Sequence, residues 1–540
     1  LKRMGSRPWP PFRKSHAMMS WNLLIAVVCA SAETPVPLKV SLSSRPTAGK
    51  QVFVDVHGRE RIFHGTNVVV KGPPWLPYRE HFDEYISLTS DDFEYMQQVG
   101  LNLIRLGVMW PGAEPLRGQY NESFFDEIRS IVLEAGRYGI YVLADMHQDV
   151  LSEKFCGEGL PSWAADDSSI SWLGFPVPLL WRPFERGADG FPTRQSCALL
   201  TRGWTLNYAA YSTEVAAQAL VKDPMILQAW GEFWAKTVSV LKGLDNVLGF
   251  ELINEPFPGN GFLNPLILDP YWGDRYRLET AYDHLNTMIR SVDEEALIFF
   301  AAVTWSNTVT GFTHPPGGQV YANRSVLAFH YYTPPQEVGK EKEYFQAKTE
   351  EARRLGTGMM LTESCCGDLF DHAAPEADRL GVSWIHWEWK NWCKRGLGTL
   401  PSSQWDEYGS CKTGFGAGPF NVGSPFYGGE PDWVIMRGLA RPYPQSLAGT
   451  FVNSSYNTSD VNSSYQLCFV ADATSVAPTV IFANAELGFG GSLKITVVPP
   501  VMEVAHLSGQ HLVELTPKDS TAHGLLITLS LQADPQHHVV

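Results

Sequence analysis

Positive charge is scarce in this chain of 540 residues, which has 42 Lys and Arg against 57 Asp and Glu and a formal net charge of −15. The first 32 residues contain basic side chains and no acidic ones, so the rest of the chain is more acidic still. Because nucleic acids and anionic membranes attract cationic surfaces, this balance argues against both as partners. It fits a neutral substrate or an acidic compartment.

Long apolar runs are also scarce. Beyond the amino-terminal region, no segment is long and apolar enough to span a bilayer. Near the start, basic residues precede an apolar run over 21–30, and Ala30-Ser31-Ala32 follows as a small-residue cleavage site. This pattern predicts a signal peptide and leader over 1–32, with the mature protein beginning near Glu33. We therefore expect no transmembrane segment and a secreted protein, or one of the lysosomal or endosomal lumen.

Asn-x-Ser/Thr sequons support that route, because such sites are glycosylated in the secretory pathway. They occur at Asn121, Asn323, Asn453, Asn457 and Asn462.

Cysteine is sparse, with eight in the chain and seven after residue 32. Cys156 with Cys197, and Cys393 with Cys411, lie in glycine-rich loops at moderate separation, and we predict these two disulfides. The adjacent pair Cys365-Cys366 lacks the ligand spacing of a zinc site, so we expect structural thiols or one arm of a disulfide.

Apolar strand-like runs alternate with helical patterns over much of the chain. The runs are Arg61–Lys71, Leu101–Trp110, Ile140–Val150, Asn246–Pro256, Leu297–Trp305, Ser325–Pro334, Gly358–Ser364 and Val382–Trp392. Helical patterns between them include Asp91–Val99, Phe124–Tyr138, Met225–Leu241 and Lys340–Leu355. Eight apolar strands alternating with helices predict an α/β fold, a (β/α)₈ TIM barrel over 33–440.

A long loop over 151–222 interrupts the barrel after its third strand. Its stretch Trp172–Trp181 is rich in proline and apolar residues, which is typical either of a local small core or of an apolar lip beside the site. After residue 440 helical periodicity disappears and short β-rich runs follow. They predict a C-terminal β-sandwich domain over 441–540.

Polar and aromatic residues recur where the predicted strands end, which is where a TIM barrel places its active site. They are Lys71, Arg105 with Trp110, His147-Gln148-Asp149, Asn254-Glu255, His330-Tyr331-Tyr332, Glu363 and Trp387-Glu388-Trp389-Lys390. One polar strand end indicates a turn, whereas seven indicate a site.

Two of these carboxylates, Glu255 and Glu363, suit a retaining glycosidase. In that mechanism one carboxylic acid protonates the leaving oxygen while the other carboxylate attacks the anomeric carbon. Arg105 is the candidate cation that keeps Glu363 ionised. Asn254 could bond the sugar 2-hydroxyl, and Tyr332 could donate to Glu363.

Several neighbours have more than one interpretation. Arg105 and His147 could instead be buried residues that tie strands together. Trp387 offers a flat face for a sugar ring, whereas Trp389 could be core or ligand. Two residues beside it, Glu388 and Lys390, are expected to point toward the helices or rim and toward solvent, respectively.

The full set, Arg105, His147, Asn254-Glu255, His330-x-Tyr332, Glu363 and Trp387, resembles glycoside hydrolase family 5. Longer stretches are similar to the endoglycoceramidases of that family over about 45–535. These stretches are GTNVVVKGPPWLP (65–77), WPGAEPLRGQYN (110–121), LADMHQD (143–149) and ELINEPFPGN (251–260). One departure is Glu363-Ser364-Cys365-Cys366-Gly367, where the family often has Glu-Phe-Gly.

The resemblance implies hydrolysis of the β-glycosidic bond between an oligosaccharide and ceramide, in a glycosphingolipid presented by a membrane or micelle. It implies Glu255 as acid/base and Glu363 as nucleophile. We expect no metal, no cofactor and a monomer. The expected substrate-binding residues are Lys71, Arg105, His147, Asp149, Asn254, His330, Tyr332 and Trp387.

Three alternatives stay open. An exo-acting glucosylceramidase or steryl-β-glucosidase would keep every catalytic residue, and product size distinguishes it. An endo-β-glucanase would not need the apolar loop. An inactive glycolipid-binding protein would not need both carboxylates.

Overall fold

The described chain begins with three short strands, β1 (Val40–Ser44), β2 (Gln51–Asp55) and β3 (Glu60–Arg61), before it enters the barrel. The computed structural model describes residues 37–44, 51–170, 173–306, 310–390, 392, 418–420, 431–458 and 463–534. β1 and β2 pair antiparallel over five residues, and Val54 of β2 pairs with Glu60 of β3. The sequence analysis did not predict these strands.

Eight parallel strands then form a closed barrel. They are β4 (His64–Val68), β5 (Leu103–Gly107), β6 (Tyr141–Asp145), β7 (Val247–Glu251), β8 (Ile298–Ala301), β9 (Ser325–Tyr331), β10 (Gly358–Ser364) and β11 (Trp384–His386). Each predicted run contains one of them, and β11 pairs with β4 to close the ring. The predicted TIM barrel is confirmed.

Helices surround the barrel, and their starts follow from capping side chains. Thr89 N donates to Asp92 Oδ2 at 2.8 Å at the start of one helix, and Asp223 Oδ1 accepts from Met225 N at 2.8 Å at the start of another. The described helices are Ser90–Gln98, Trp110–Ala113, Glu122–Arg137, Arg194–Cys197, Tyr211–Lys222, Pro224–Leu241, Pro270–Gly273, Glu279–Val292, Glu341–Leu355, Ala374–Leu380, Trp433–Leu439 and Ala485–Phe489.

Strands β1 and β2 cover the amino-terminal end of the barrel. Val40, Leu42 and Phe53 share one buried apolar cluster with inward-facing barrel residues such as Phe63 and Phe299. The Phe53 ring lies 5.5 Å from that of Phe63 and 6.2 Å from that of Phe299. This end is therefore packed shut, and the carboxyl end is left for a substrate.

A β-sandwich follows the barrel and is confirmed, but one of its sheets contains strands from both ends of the chain. That seven-stranded sheet has the order β1-β2-β3-β12-β15-β18-β17, and the four-stranded sheet has the order β13-β14-β19-β16. The C-terminal strands are β12 (Tyr443–Leu447), β13 (Gly449–Asn457), β14 (Ser464–Ala471), β15 (Thr479–Phe482), β16 (Leu493–Val498), β17 (Met502–Leu507), β18 (Leu512–Pro517) and β19 (Leu526–Ala533).

The excursion after β6 contains more regular structure than a loop, since Tyr211–Lys222 is helical. Within its apolar stretch, Phe175 is buried and packs against the rings of Phe155 and Phe184, whereas Trp181 is 97% exposed. The described part of this stretch therefore combines a local core with an exposed aromatic side chain. The predicted Cys156–Cys197 disulfide is confirmed, with 5.6 Å between the Cα atoms.

Several predicted features fall outside the described residues. They are the leader over 1–32, Trp172, the Cys393–Cys411 disulfide and the sequon at Asn462. The side chains of the other four sequon asparagines lie at exposed positions. Among the helices that the structure describes, none has the length and apolar character needed to cross a membrane.

Candidate active site

Glu255 lies four residues beyond the end of β7, in a bend at the carboxyl end of the barrel. Its φ angle of 40° is in the left-handed region, which residues with side chains rarely adopt. Gln148 stabilises this backbone, because its Nε2 donates to the carbonyl oxygens of Asn254 at 2.8 Å and of Glu255 at 2.9 Å. Such strained backbone is concentrated at functional sites, where surrounding contacts maintain it.

Glu363, the penultimate residue of β10, lies opposite Glu255. Tyr332 Oη donates to its Oε1 at 2.7 Å, and Arg105 Nη1 donates to its Oε2 at 3.3 Å. His330 Nδ1 is 2.9 Å from Glu255 Oε1. One carboxylate oxygen of Glu255, one of Glu363 and one ring nitrogen of His330 all lie within 4.8 Å of one another. This upper bound of 4.8 Å is compatible with the ~5–5.5 Å separation in retaining glycosidases and lies below the ~6.5–9.5 Å of inverting ones.

Arg105 is fully buried on β5 and is bonded in several directions. It donates to the two carboxylate oxygens of Glu251 at 2.8 and 3.1 Å, to Asn67 Oδ1 at 2.9 Å and to Asn254 Oδ1 at 3.0 Å. Its Nη2 also lies 3.1 Å from Asp145 Oδ1. Burial disfavours the guanidinium charge, but the surrounding carboxylates outweigh this effect and raise the pKa of Arg105. Arg105 is therefore a fixed cation at the site.

Lys71 extends from the end of the first barrel strand into a group of acidic residues. Its Nζ is hydrogen-bonded to Asp149 and lies 3.4 Å from Glu158 Oε1. Burial disfavours the ammonium, but Asp149, Glu158 and Glu388 outweigh it and raise the pKa of Lys71. Burial also acts against the carboxylate of Asp149, yet Lys71 holds the pKa of Asp149 well below its usual value. The pair is charged and offers both donors and acceptors to sugar hydroxyls.

His147 and Trp387 form the wall beside this ion pair. Their rings stack with centroids 5.2 Å apart, and Lys71 Nζ lies 4.6 Å from the Trp387 ring centroid. His147 Nδ1 is 2.9 Å from Asp145 Oδ2, and its Nε2 is 3.6 Å from Asp149 Oδ2. Burial disfavours the charged ring, but hydrogen bonds to both carboxylates outweigh it and raise the pKa of His147 to about 9. His147 is therefore a charged imidazolium at neutral pH.

The structure brings all ten predicted site residues together at this end of the barrel, linked by these contacts. His147 completes the chain, since its Nε2 lies 3.5 Å from Asn254 Nδ2. The ten are Lys71, Arg105, His147, Asp149, Asn254, Glu255, His330, Tyr332, Glu363 and Trp387.

The sequence analysis missed four participants, which are Asn67, Asp145, Glu251 and Glu158. Asp145 and Glu251 end apolar strands, and a buried acid inside such a run signals a paired charge. That signal could have identified both. Glu158 had no comparable signal, because backbone bonds between residues 149 and 158, at 3.0 and 2.8 Å, bring it to Lys71. Burial raises the pKa of Glu158.

Lys390 was predicted to face solvent, and this prediction is wrong. Its side chain is fully buried and forms an ion pair with Asp92. Its Nζ also donates to the carbonyl oxygens of Asp83 at 2.8 Å and of Ser87 at 2.9 Å. A buried ammonium needs such compensation, and Asp92 supplies it from a distant part of the chain. Lys390 thus anchors the segment that carries Trp387.

Two neighbours of Lys390 are also buried: Trp389, which the sequence left as core or ligand, and Glu388, which was expected to point toward the helices or rim. Trp389 belongs to the core, and its Nε1 donates to Asp92 Oδ1 at 3.0 Å. Glu388 is buried and is close enough to Lys71 to raise the pKa of that lysine.

Glu255, His330 and Glu363 could also hold a cation, given the 4.8 Å limit on their separation. A retaining glycosidase uses both carboxylates directly on the sugar. The geometry of these three side chains is compatible with either use.

Two family models match the chain. One is described as Cellulase (glycosyl hydrolase family 5) and matches residues 54–392. The other is described as Glycoside hydrolase family 5 C-terminal domain and matches residues 441–529.

Curated relatives and solved structures agree with these models. An endoglycoceramidase from Cyanea nozakii is 37% identical over 87% of this chain and 90% of its own length. An endoglycoceramidase from Hydra vulgaris is 39% identical over 74% of this chain and 72% of its own length. The structure of endo-glycoceramidase II from Rhodococcus sp. with ganglioside GM3 has a TM-score of 0.65 and 20% identity, covering 89% of this chain and 99% of that one. This last likeness concerns the fold.

Proposed function

The chain belongs to glycoside hydrolase family 5, and from that premise we propose that it cleaves the β-glycosidic bond between an oligosaccharide and ceramide. Glu255 acts as acid/base and Glu363 as nucleophile. The observation that carries this proposal is the close approach of the two carboxylates, with atoms within 4.8 Å of each other, between a charged sugar-binding side and an apolar side.

In the first step Glu255 donates a proton to the glycosidic oxygen while a Glu363 oxygen attacks the anomeric carbon. The bond to ceramide breaks, ceramide leaves as the alcohol, and a covalent glycosyl-enzyme forms. In the second step Glu255 takes a proton from a water molecule whose oxygen attacks the anomeric carbon. The bond between that carbon and Glu363 breaks, which releases the glycan and restores the Glu363 carboxylate. In both steps Glu255 must lie within hydrogen-bond reach of the oxygen that gains or loses the proton.

Two hydrogen-bond donors hold the carboxylate of Glu363 in place for attack. Arg105 Nη1 and Tyr332 Oη both donate to its oxygens, at 3.3 and 2.7 Å.

The sugar side of the site is built from the ends of β4, β6 and β11. Lys71, His147, Asp149 and Trp387 all come from these ends. Charged groups and an aromatic face suit the polar edges and flat faces of a pyranose. The leaving group must extend away from them, past Glu255.

The segment that follows Glu255 in the chain carries exposed apolar side chains. Phe257 packs against Trp305 with ring centroids 5.2 Å apart, and Trp305 Nε1 donates to the carbonyl oxygen of Leu268 at 2.9 Å. We call the exposed side chains of this segment the apolar strip. It consists of Phe262, Leu263, Leu266, Leu268, Tyr271, Trp272 and Tyr276.

Exposure of the apolar strip supports a lipid leaving group. Leu263 and Leu266 are 68% and 62% exposed, and the rings of Trp272 and Tyr276 stack at 5.1 Å while remaining partly exposed. Contiguous exposed apolar side chains are uncommon on monomeric proteins unless they bind something. Ceramide, with its hydrocarbon chains, is a matching ligand.

Product mass tests this proposal. The purified enzyme, incubated with detergent-solubilised lactosylceramide, is expected to release intact lactose and ceramide, which mass spectrometry distinguishes. The names of the relatives from Cyanea nozakii and Hydra vulgaris support the same expectation. Release of single hexoses, with glucosylceramide as the better substrate, would contradict it and favour the exo-acting alternative. Glu363→Ala serves as the inactive control.

We also propose that the enzyme is secreted or works in the lysosomal or endosomal lumen. The Cys156–Cys197 disulfide and the exposed positions of Asn121, Asn323 and Asn453 support this compartment. The test is to produce the protein in a eukaryotic secretion system and to treat it with a glycan-removing amidase, to which it should be sensitive. Cytosolic recovery without glycans would contradict it.

A further inference from the structure

The pair Cys365-Cys366 follows the candidate nucleophile by two residues, and its sulfur atoms are unusually close. The two Sγ atoms are 2.7 Å apart. Non-bonded carbon atoms approach to only about 3.5–4.0 Å, and sulfur is larger. A disulfide bond is about 2.05 Å long. The Sγ–Sγ distance is therefore shorter than a non-bonded contact and longer than a disulfide bond.

We propose that Cys365 and Cys366 form a disulfide between adjacent residues, and that this link holds the turn that positions Glu363 and Tyr332. The two cysteines lie in the segment Glu363–Gly367, where the family often has Glu-Phe-Gly. The family resemblance therefore assigns them no role.

The turn is joined to the active site on two sides. On one side, the carboxylate of Asp368 accepts from Thr333 N at 2.8 Å and from Thr333 Oγ1 at 2.6 Å. Thr333 follows Tyr332, which donates to Glu363. On the other side, Ser364 O accepts from Trp387 N at 2.7 Å. A change in the shape of the cysteine turn is therefore transmitted to the nucleophile's donor and to the aromatic wall.

The two sulfurs differ in access, which sets the order of the chemistry. Cys365 is 4% exposed, whereas Cys366 is only partly buried. The hydrogen bond from Cys365 also lowers the pKa of Cys366. Cys366 is therefore the thiol that meets an external oxidant.

The oxidant is a low-molecular-weight disulfide such as glutathione disulfide. The Cys366 thiolate attacks one of its sulfurs, forming a mixed disulfide and releasing one thiolate. Cys365 then loses its proton and attacks the Cys366 sulfur, releasing the second thiolate. The two S–H bonds are replaced by one S–S bond, and the released thiolates take up the two protons. The cysteines are oxidised by two electrons and the small disulfide is reduced by two.

Adjacency makes this link easier to reduce than the other disulfide. Neighbouring Cα atoms are only about 3.8 Å apart, below the ~4.4–6.8 Å that disulfides usually span. Cys156 and Cys197 lie 5.6 Å apart by the same measure. Disulfides held in unfavourable geometry are the labile ones. Mild reductant should open the Cys365–Cys366 link first.

Mass spectrometry of the wild-type protein tests the bond directly. The protein is equilibrated with glutathione disulfide, denatured, treated with N-ethylmaleimide and digested with trypsin. The tryptic peptide Leu355–Arg379 contains these two cysteines and no others. We expect this peptide unlabelled and lighter by two hydrogens, with two labels appearing only after reduction. Labelling of both cysteines without reduction, or a cross-link to another peptide, would overturn the proposal.

Activity on a soluble aryl β-glycoside tests the positioning role. Reduction of the oxidised wild type by glutathione should lower kcat roughly three- to tenfold, because a displaced donor weakens the hold on the nucleophile. Cys366→Ser should show no such response, and the matched variant Cys468→Ser should respond like the wild type. An unchanged kcat after proven opening of the bond would overturn this role. If Cys366→Ser fails to fold, two wild-type measurements still test the proposal. They are the labelling of the tryptic peptide and the kcat before and after reduction.

Discussion

The two sides of the catalytic carboxylates are built by opposite means. On the sugar side, Lys71, His147 and Asp149 are held together by ion pairs and hydrogen bonds and are largely withdrawn from water. On the lipid side, the apolar strip exposes Leu263 and Leu266 to solvent. The polar contacts of the first side are in place before a substrate arrives. The second side offers apolar surface, whose contacts are not directional.

This difference matches what each half of a glycosphingolipid presents. A sugar ring carries hydroxyl groups at set angles, so its recognition depends on the placement of individual donors and acceptors. A hydrocarbon chain is recognised by the area it removes from water, which is not directional. Substitutions on the sugar side should therefore have steep effects on every substrate. Those on the lipid side should have gradual effects that depend on the leaving group.

The largest expected effect comes from the carboxylates, which serve both sides. Glu363→Ala should reduce activity on the order of 10⁴-fold or more on every substrate, because no covalent intermediate can form. Glu255→Ala should be as harmful with ceramide glycosides but much less so with a dinitrophenyl glycoside, whose leaving group departs without a proton. Kinetics on the two substrate types give the measurement.

Azide separates the two roles further. In Glu255→Ala it should attack the accumulated intermediate and yield a β-glycosyl azide. In Glu363→Ala it should enter the vacated face and yield the α-azide. NMR of the anomeric proton reads the outcome, and the reverse result would exchange the roles.

The sugar side alone should respond to Asp149→Asn. Loss of this charge leaves Lys71 and His147 without a shared partner, so we expect kcat/KM to fall roughly 10- to 100-fold on lactosylceramide and on an aryl lactoside alike. Asp245→Asn, an exposed substitution just before β7 at the opposite end of the barrel, is the matched control. A loss confined to the lipid substrate would break the division between the two sides.

The lipid side should respond more weakly and selectively. The double variant Leu266→Ser, Trp272→Ser should lower kcat/KM for lactosylceramide in mixed micelles roughly tenfold through lost apolar contact. The same variant should leave the aryl lactoside unchanged. Val476→Ser, at an 86% exposed position of the C-terminal sandwich, is the control. If Trp181→Ser has the effect instead, the lipid lies against the excursion after β6.

The smallest expected effect is a pH dependence that belongs to the sugar side. The pKa of His147 is raised from the usual 6.5 to about 9 in the folded protein. Its stabilisation is therefore fully present below pH 6.5 and is lost as the pH rises through about 9. The difference in melting temperature between wild type and His147→Gln should shrink over that interval. A difference that does not vary with pH would mean that the ring is neutral.

The fold and the central residues could be predicted because their signals are local. Each barrel strand is an apolar run, and residues such as Glu255 and Glu363 follow from the rule that strand ends meet at one edge. The same local signal predicted Arg105 beside Glu363, although these two residues are 258 positions apart.

What could not be predicted depends on pairing between distant segments. Lys390 appears solvent-facing in the sequence because its compensating contact, Ser87 O, is 303 residues away. Glu158 reaches Lys71 through backbone bonds to residue 149 in an irregular loop. Strand β3 has only two residues, too few for any periodic signal.

Placement of the first strands in a sheet with the last ones sets the order in which the enzyme can mature on the ribosome. Glu60 Oε2 accepts from Phe451 N at 3.1 Å, a partner 391 residues later. At about 5–20 residues per second, roughly 20 to 80 s of synthesis separate the two groups. Throughout that interval one edge of β3 lacks its neighbour β12. An unpaired strand edge is a template for pairing with other chains, so this edge is a site of possible misassembly until translation is nearly finished.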